Sequence, residues 1–265
     1  MTAGTPSACP ATDDCAMTFT HLLRRGVVAG AAAGLAAALV TWLVVEPVIR
    51  RALVVEGARG GHSHGGGGEE PLVSRGLQVI FGAGTSALAG VMFGVVFAVV
   101  FAKTRHLLPG ATDFGRAGVL AALGFFVFSL LPGTKLPANP PAVGDPATVT
   151  HRTWLYVLCI LLGLLVVSVV ASIDRYQRGR GVDVAVRGTV NLLTFVVGVA
   201  VVFALVPGTP DTVPADVPAT LLWDFRLASL TQLAVMWATL GVTFGLLVQT
   251  RTARSTRPEP VPTAV

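Results

Sequence analysis

The chain has 265 residues, of which 53% are hydrophobic and only 12% are charged, with a formal net charge of +5. A soluble domain carries about twice that charge fraction, and the mean hydropathy is +0.72, so a water-soluble globular fold is excluded. The composition predicts one polytopic α-helical membrane domain, and the positive balance reads as arginines that set topology.

The first 16 residues form a polar leader rich in small residues, expected to be disordered, and Met17 is an alternative start. Apolar runs of roughly 17–25 residues, the length that spans a bilayer as a helix, then fall at about 26–45, 77–102, 117–132, 154–173, 188–206 and 228–249. Their uniform hydrophobicity, without a period of two, excludes a membrane β-barrel. The fold class is therefore all-α, a helical bundle of about six transmembrane helices over residues 17–250. Residues 251–265 remain as a tail. The first run follows HLLRR, is too long for the core of a signal peptide, and runs into Glu46-Pro47 without a cleavage site, so it is read as a retained helix.

Six spans sort the lysines and arginines unevenly. One side carries 12, among them Arg24, Arg25, Lys103, Arg116, Arg178 and Arg187, and the other carries 7, including Arg51, Arg152 and Arg226. The richer side is assigned to the cytoplasm, which puts both termini inside a cell membrane and the loop after the first span outside. Helix packing is expected along small residues four apart, where backbones can approach closely. These are Gly26, Gly30 and Gly34; then Gly82, Ser86, Gly90 and Gly94; then Gly241 and Gly245.

Chemistry-bearing groups gather in the outer loops. The first holds ARGGHSHGGGGEEP, in which His62 and His64 precede Glu69 and Glu70. Imidazole with carboxylate suits divalent ions such as cobalt, nickel or zinc. The two histidines point apart in an extended chain, and the surrounding glycines supply the freedom to turn both onto one ion. A glycine linker with two incidental histidines is the competing reading. Glu46, at the end of the first span, is a candidate because ionisable groups at that depth are costly. The second outer loop adds Asp145 and His151 beside a run of prolines that stiffens it. The third adds Asp211, Asp216 and Asp224, of which Asp224 lies closest to the last span. Trp154 and Trp223 fit an interfacial aromatic belt. No phosphate-binding loop, dinucleotide fingerprint or GxSxG elbow occurs. Cys9, Cys15 and Cys159 form no CxxC pair or zinc spacing. The chain thus reads as a non-enzyme with no cofactor and no nucleic-acid partner.

In HLLRRGVVAG, the histidine-bearing glycine loop, LPANPPAVGDP and LLWDFRLASLTQL, the chain resembles the CbtA family of predicted cobalt transporter subunits across roughly residues 17–250. The resemblance implies cobalt uptake for cobalamin synthesis, with the metal as cargo. It also implies pairing with a small single-span subunit, CbtB, that bears its own histidine motif. It implies five helices, where the charge pattern here predicts six. The resulting expectation is a subunit that takes up a divalent metal, cobalt before nickel, through the groups named above. The alternatives are a non-conducting anchor or assembly subunit and a transporter of another small solute.

Overall fold

The computed structural model describes residues 19–60, 75–141 and 143–255. Within them every regular element is helical. Six helical stretches are long and apolar enough to cross a membrane: Phe19–Ala58, Phe81–Thr104, Asp113–Lys135, Val149–Gly179, Val184–Leu205 and Ala219–Gln249. The protein is a multi-pass helical membrane protein. Six spans, rather than the five implied by the resemblance, are what these residues form. The leader and the histidine loop, with His62, His64, Glu69 and Glu70, lie outside the described residues.

The first span is longer than its apolar run. Helix α1 (Phe19–Val40) passes through a π-helical turn at Thr41–Val45 into α2 (Glu46–Gly60). Pro47 explains the turn. Its ring crowds the carbonyl four residues back and it has no N–H to offer. The chain responds by widening one turn, and the Glu46 N–H bonds Thr41 O, five residues back. The same device recurs in the third span. There α4 (Asp113–Phe125) enters a π-turn at Phe126–Leu130, and the Leu131 N–H bonds Phe126 O immediately before Pro132 in α5 (Leu131–Lys135). Pro132 also lacks the N–H that would reach Phe128 O in an ordinary α-helical turn. The Tyr156 hydroxyl takes that carbonyl instead, at 2.6 Å.

Helix α3 (Arg75–Thr104) runs antiparallel to α1 along the predicted small-residue stripes. A Cβ built at Gly30 would collide with Gly90 O and would stand 3.0 Å from Gly94 Cα. Gly26 meets Gly94 in the same way, and Gly34 meets Ser86. Gly82 departs from the expectation: a Cβ there would meet nothing within 4 Å, so the stripe ends one step earlier than its spacing predicts.

Helix α8 (Ala219–Ser255) is the central element, packed on α1 and α4. Gly241 admits Ala121, and Gly245 admits Phe114, which confirms the third glycine series as a packing seam. Between α3 and α8 the rings of Phe97 and Phe101 each meet Phe244 edge-on with centroids 5.2 Å apart. Trp237 donates to the buried Ser129 hydroxyl at 3.1 Å.

Helices α6 (Val149–Gly179) and α7 (Val184–Leu205) form an outer hairpin. Asp183 caps α7 by accepting from the Ala185 N–H at 2.8 Å. Asp174 ties the two helices together, accepting from Arg178 Nε at 2.7 Å, Asn191 Nδ2 at 2.9 Å and Arg187 Nε at 3.3 Å. At the opposite end Lys135 donates to Phe203 O at 2.9 Å. That carbonyl is free because Pro207, four residues on, has no N–H, and a cation is favourable at a helix C-terminus.

Candidate functional site

One end of the bundle gathers Glu46, Asp145, His151 and Asp224, and the helix ends decide what each can reach. Glu46 opens α2 with its side chain mostly enclosed, and Arg50, one turn on, donates to it at 3.1 Å. Arg51 donates to Asp224 of α8 at 2.9 Å, which fastens α2 to α8. Arg51 and Asp224 are both well exposed. Asp145 is turned into its own loop: its carboxylate accepts from the Ala147 N–H at 2.9 Å. His151 is exposed in the first turn of α6. These four groups share an end without sharing a centre. Among the described residues no three His, Cys, Asp or Glu side chains are close enough to hold an ion together.

The organised feature at this end is a buried carboxylate. Asp211, in the segment between α7 and α8, has a side chain with no exposure at all. Arg152 of α6 donates to it at 2.8 Å and Asn139 at 3.2 Å. The Thr148 hydroxyl stands 2.7 Å from Asp211 Oδ1 and 2.7 Å from Asp145 O, so its single proton serves one or the other. The Asp145 N–H approaches Asp211 more loosely, at 3.5 Å. A carboxylate this enclosed needs such donors to remain charged. The Thr148 hydrogen bond does most to hold the Asp211 carboxyl below the ordinary carboxylate range. Burial pushes the other way, and the Asp145 N–H, the Arg152 charge and the Asn139 amide add to the lowering. Gly144 makes the loop possible, since its φ of +124° lies where other residues are strained and its Cα faces Arg152 and Asp211.

Asn139 also accepts from Arg226 of α8 at 3.3 Å. The two stretches LPANPPAVGDP and LLWDFRLASLTQL, far apart in sequence, therefore meet through one hydrogen bond. Asn139, Thr148, Arg152 and Arg226 were not among the predicted site residues, and Asp211 appeared only as one of three acids in its loop. The prolines around Asn139 marked a stiff loop, but nothing local in the sequence says which carboxylate that loop encloses.

Beneath this lock lies a cleft of about 490 Å³ between the α4–α5 segment, α6 and α8. Arg152, Thr153, Tyr156 and Val157 of α6 and Arg226, Ser229, Leu230 and Leu233 of α8 line it at spacings of three and four, one face of each helix. Trp154 and Trp223, the predicted belt residues, are both exposed.

Six apolar spans packed around α8, with ionic clusters at both ends of the bundle, define a polytopic helical membrane protein. Residues 19–249 match the family described as "Probable cobalt transporter subunit (CbtA)". The match covers nearly every described residue, and the chain belongs to this family. No curated protein and no solved structure matches it.

Proposed function

We propose that this chain is the membrane-embedded subunit of an uptake system for a divalent transition metal, cobalt before nickel, serving cobalamin synthesis. It acts as a transporter subunit and not as an enzyme, and the metal is its cargo. The observation that carries this reading is the family match, which runs through the whole bundle from α1 to α8 rather than through one helix pair. In this reading His62 and His64, with Glu69 and Glu70, collect the ion outside the membrane of the cell, while both termini face the cytoplasm. A loose site of two imidazoles and two carboxylates exchanges ligands readily, which suits capture followed by release.

Glu46, Asp145, His151 and Asp224 are the receiving groups. Support comes from the chain path, because the residues between Gly60 and Arg75 join the same α2 that carries Glu46 and Arg51. The arginine paired with Asp224 does not bar an ion. An exposed pair is worth about 0–1 kcal/mol, so a dication can displace Arg51 from Asp224. A small single-span subunit of the CbtB kind completes the system, and membrane lipid surrounds it. The aromatic filling between α3 and α8 favours a second reading, a non-conducting anchor subunit, which the same experiment separates. Glu46→Gln keeps shape and polarity while removing charge. It should lower the maximal rate of metal uptake at saturating ion, with the protein at its normal level in the membrane. If Glu46→Gln, Asp145→Asn, His151→Gln and Asp224→Asn all leave that rate unchanged, the anchor reading replaces this one.

A further inference from the structure

The cleft beneath the Asp211 lock carries a charge pattern that a metal cation would not choose. Arg152 and Arg226 both line it, and the Nε of each is buried without a hydrogen-bond partner. Asp211 neutralises Arg152 at 2.8 Å. Among the described residues Arg226 meets no carboxylate, only the Asn139 amide oxygen at 3.3 Å. Both side chains line one cavity, and the charge on Arg226, which meets no carboxylate among the described residues, points to an anion as the acceptor this cavity takes.

The rest of the cleft says what the anion is attached to. Away from the arginines its wall is apolar, with Leu136, Leu230 and Leu233 among its lining residues. On the α6 side it is open, because Val149, Tyr156 and Val157 line it while remaining 50%, 37% and 37% exposed. In a bilayer those residues face lipid. Basic groups at the membrane surface above an apolar wall open to the side match a molecule with an anionic head and a hydrocarbon body. A guanidinium suits a phosphate oxygen by both charge and planar geometry, and basic pockets between spanning helices are suited to anionic head groups.

We infer that this cleft is a binding site for an anionic phospholipid, with Arg226 as the main contact to its phosphodiester and Arg152 as the second. The site is independent of the metal-uptake reading, since Asp211 already neutralises Arg152 and the charge of Arg226 repels a dication.

The test uses the full chain in nanodiscs of phosphatidylcholine mixed with phosphatidylglycerol, and counts by native mass spectrometry the lipids that stay bound. The wild type should retain phosphatidylglycerol in preference to phosphatidylcholine. Arg226→Gln, which still offers Asn139 a donor, should cut that preference about tenfold, the loss expected for one charged hydrogen bond. Arg51→Gln removes the same charge from the same end, outside the cleft, and should leave the preference intact. Val157→Phe fills the open apolar side without touching charge. It should also reduce retention, and it carries the test if Arg226→Gln does not fold. Glycerol phosphate added to pure phosphatidylcholine nanodiscs should not bind at matching concentration. Equal retention by the wild type, Arg226→Gln and Val157→Phe would overturn the assignment. So would an equal loss in Arg51→Gln, which would mean surface charge alone, or tight binding of free glycerol phosphate, which would mean a soluble anion site.

Discussion

Placing one methyl group at Gly30 tests the packing account directly. The new carbon of Gly30→Ala would collide with Gly90 O and sit 3.0 Å from Gly94 Cα. Both are backbone atoms, so no side chain can swing aside. Carbon–oxygen contacts settle near roughly 3.3–3.6 Å, which forces α1 and α3 apart by on the order of 1 Å. A gap of that size forfeits a quarter to a half of the dispersion energy along the seam, and overpacking of this kind costs about 1–3 kcal/mol. Alanine returns about 1 kcal/mol through its higher helix propensity, leaving a net loss of about 0–2 kcal/mol. For a chain of this size that corresponds to a fall in Tm of up to roughly 8 °C. Gly82→Ala is the internal control, because its new carbon meets nothing within 4 Å and only the propensity gain remains. The assay is thermal unfolding of the purified proteins in one detergent at one scan rate, which the irreversibility common to such proteins requires. Gly30→Ala should melt below the wild type and Gly82→Ala at or slightly above it. Equal melting of the two variants would refute the claim that backbone contact at Gly30 holds α1 to α3.

The six spans and the charge asymmetry predict that reporters fused at Gly110, Gly179 and the carboxyl terminus register as cytoplasmic, while one at Pro141 registers as external; an external signal from the terminal fusion would contradict this. Replacing His62 and His64 together with alanine should lower metal uptake at scarce ion and leave it nearly intact at plentiful ion. Equal loss at every concentration would instead assign the histidines to the path or to folding. Because Asp211 titrates below the ordinary carboxylate value of about 3.9, its contribution to stability is present above that pH and is lost as pH falls through the depressed value. Proteolysis of the 136–148 loop should therefore accelerate only below about pH 4 in the wild type, and Asp211→Asn should be susceptible already at neutral pH.

The helices were legible because a bilayer demands about 20 apolar residues per span, and that demand leaves a strong mark on sequence. Their ends were less legible. Glu46-Pro47 and Arg50-Arg51 look like the close of a helix, yet the π-turn at Thr41–Val45 absorbs the proline, and α2 continues to Gly60 with Val48 and Ala52 buried. The third span was read as 117–132, but Thr112 caps α4 by accepting from the Gly115 N–H at 3.1 Å, and a second π-turn carries the helix past Pro132 to Lys135. Spacing of four revealed the glycine stripes but could not say where the partner helix diverges, which is why Gly82 was included. The Asp211 lock was illegible for a different reason. Its donors come from Asn139, Thr148 and Arg152, some 60 to 70 residues distant, and such pairing is decided by how α6, α7 and α8 assemble. Arg51 pairs with Asp224, 173 residues on, for the same reason.

Metal uptake measured in cells that carry this chain, and in the same cells after its removal, tests the central claim most directly. At low external cobalt the initial rate of accumulation should fall sharply on removal and return when the chain is restored, with nickel competing. An unchanged rate in cells lacking the chain would contradict its assignment to metal uptake.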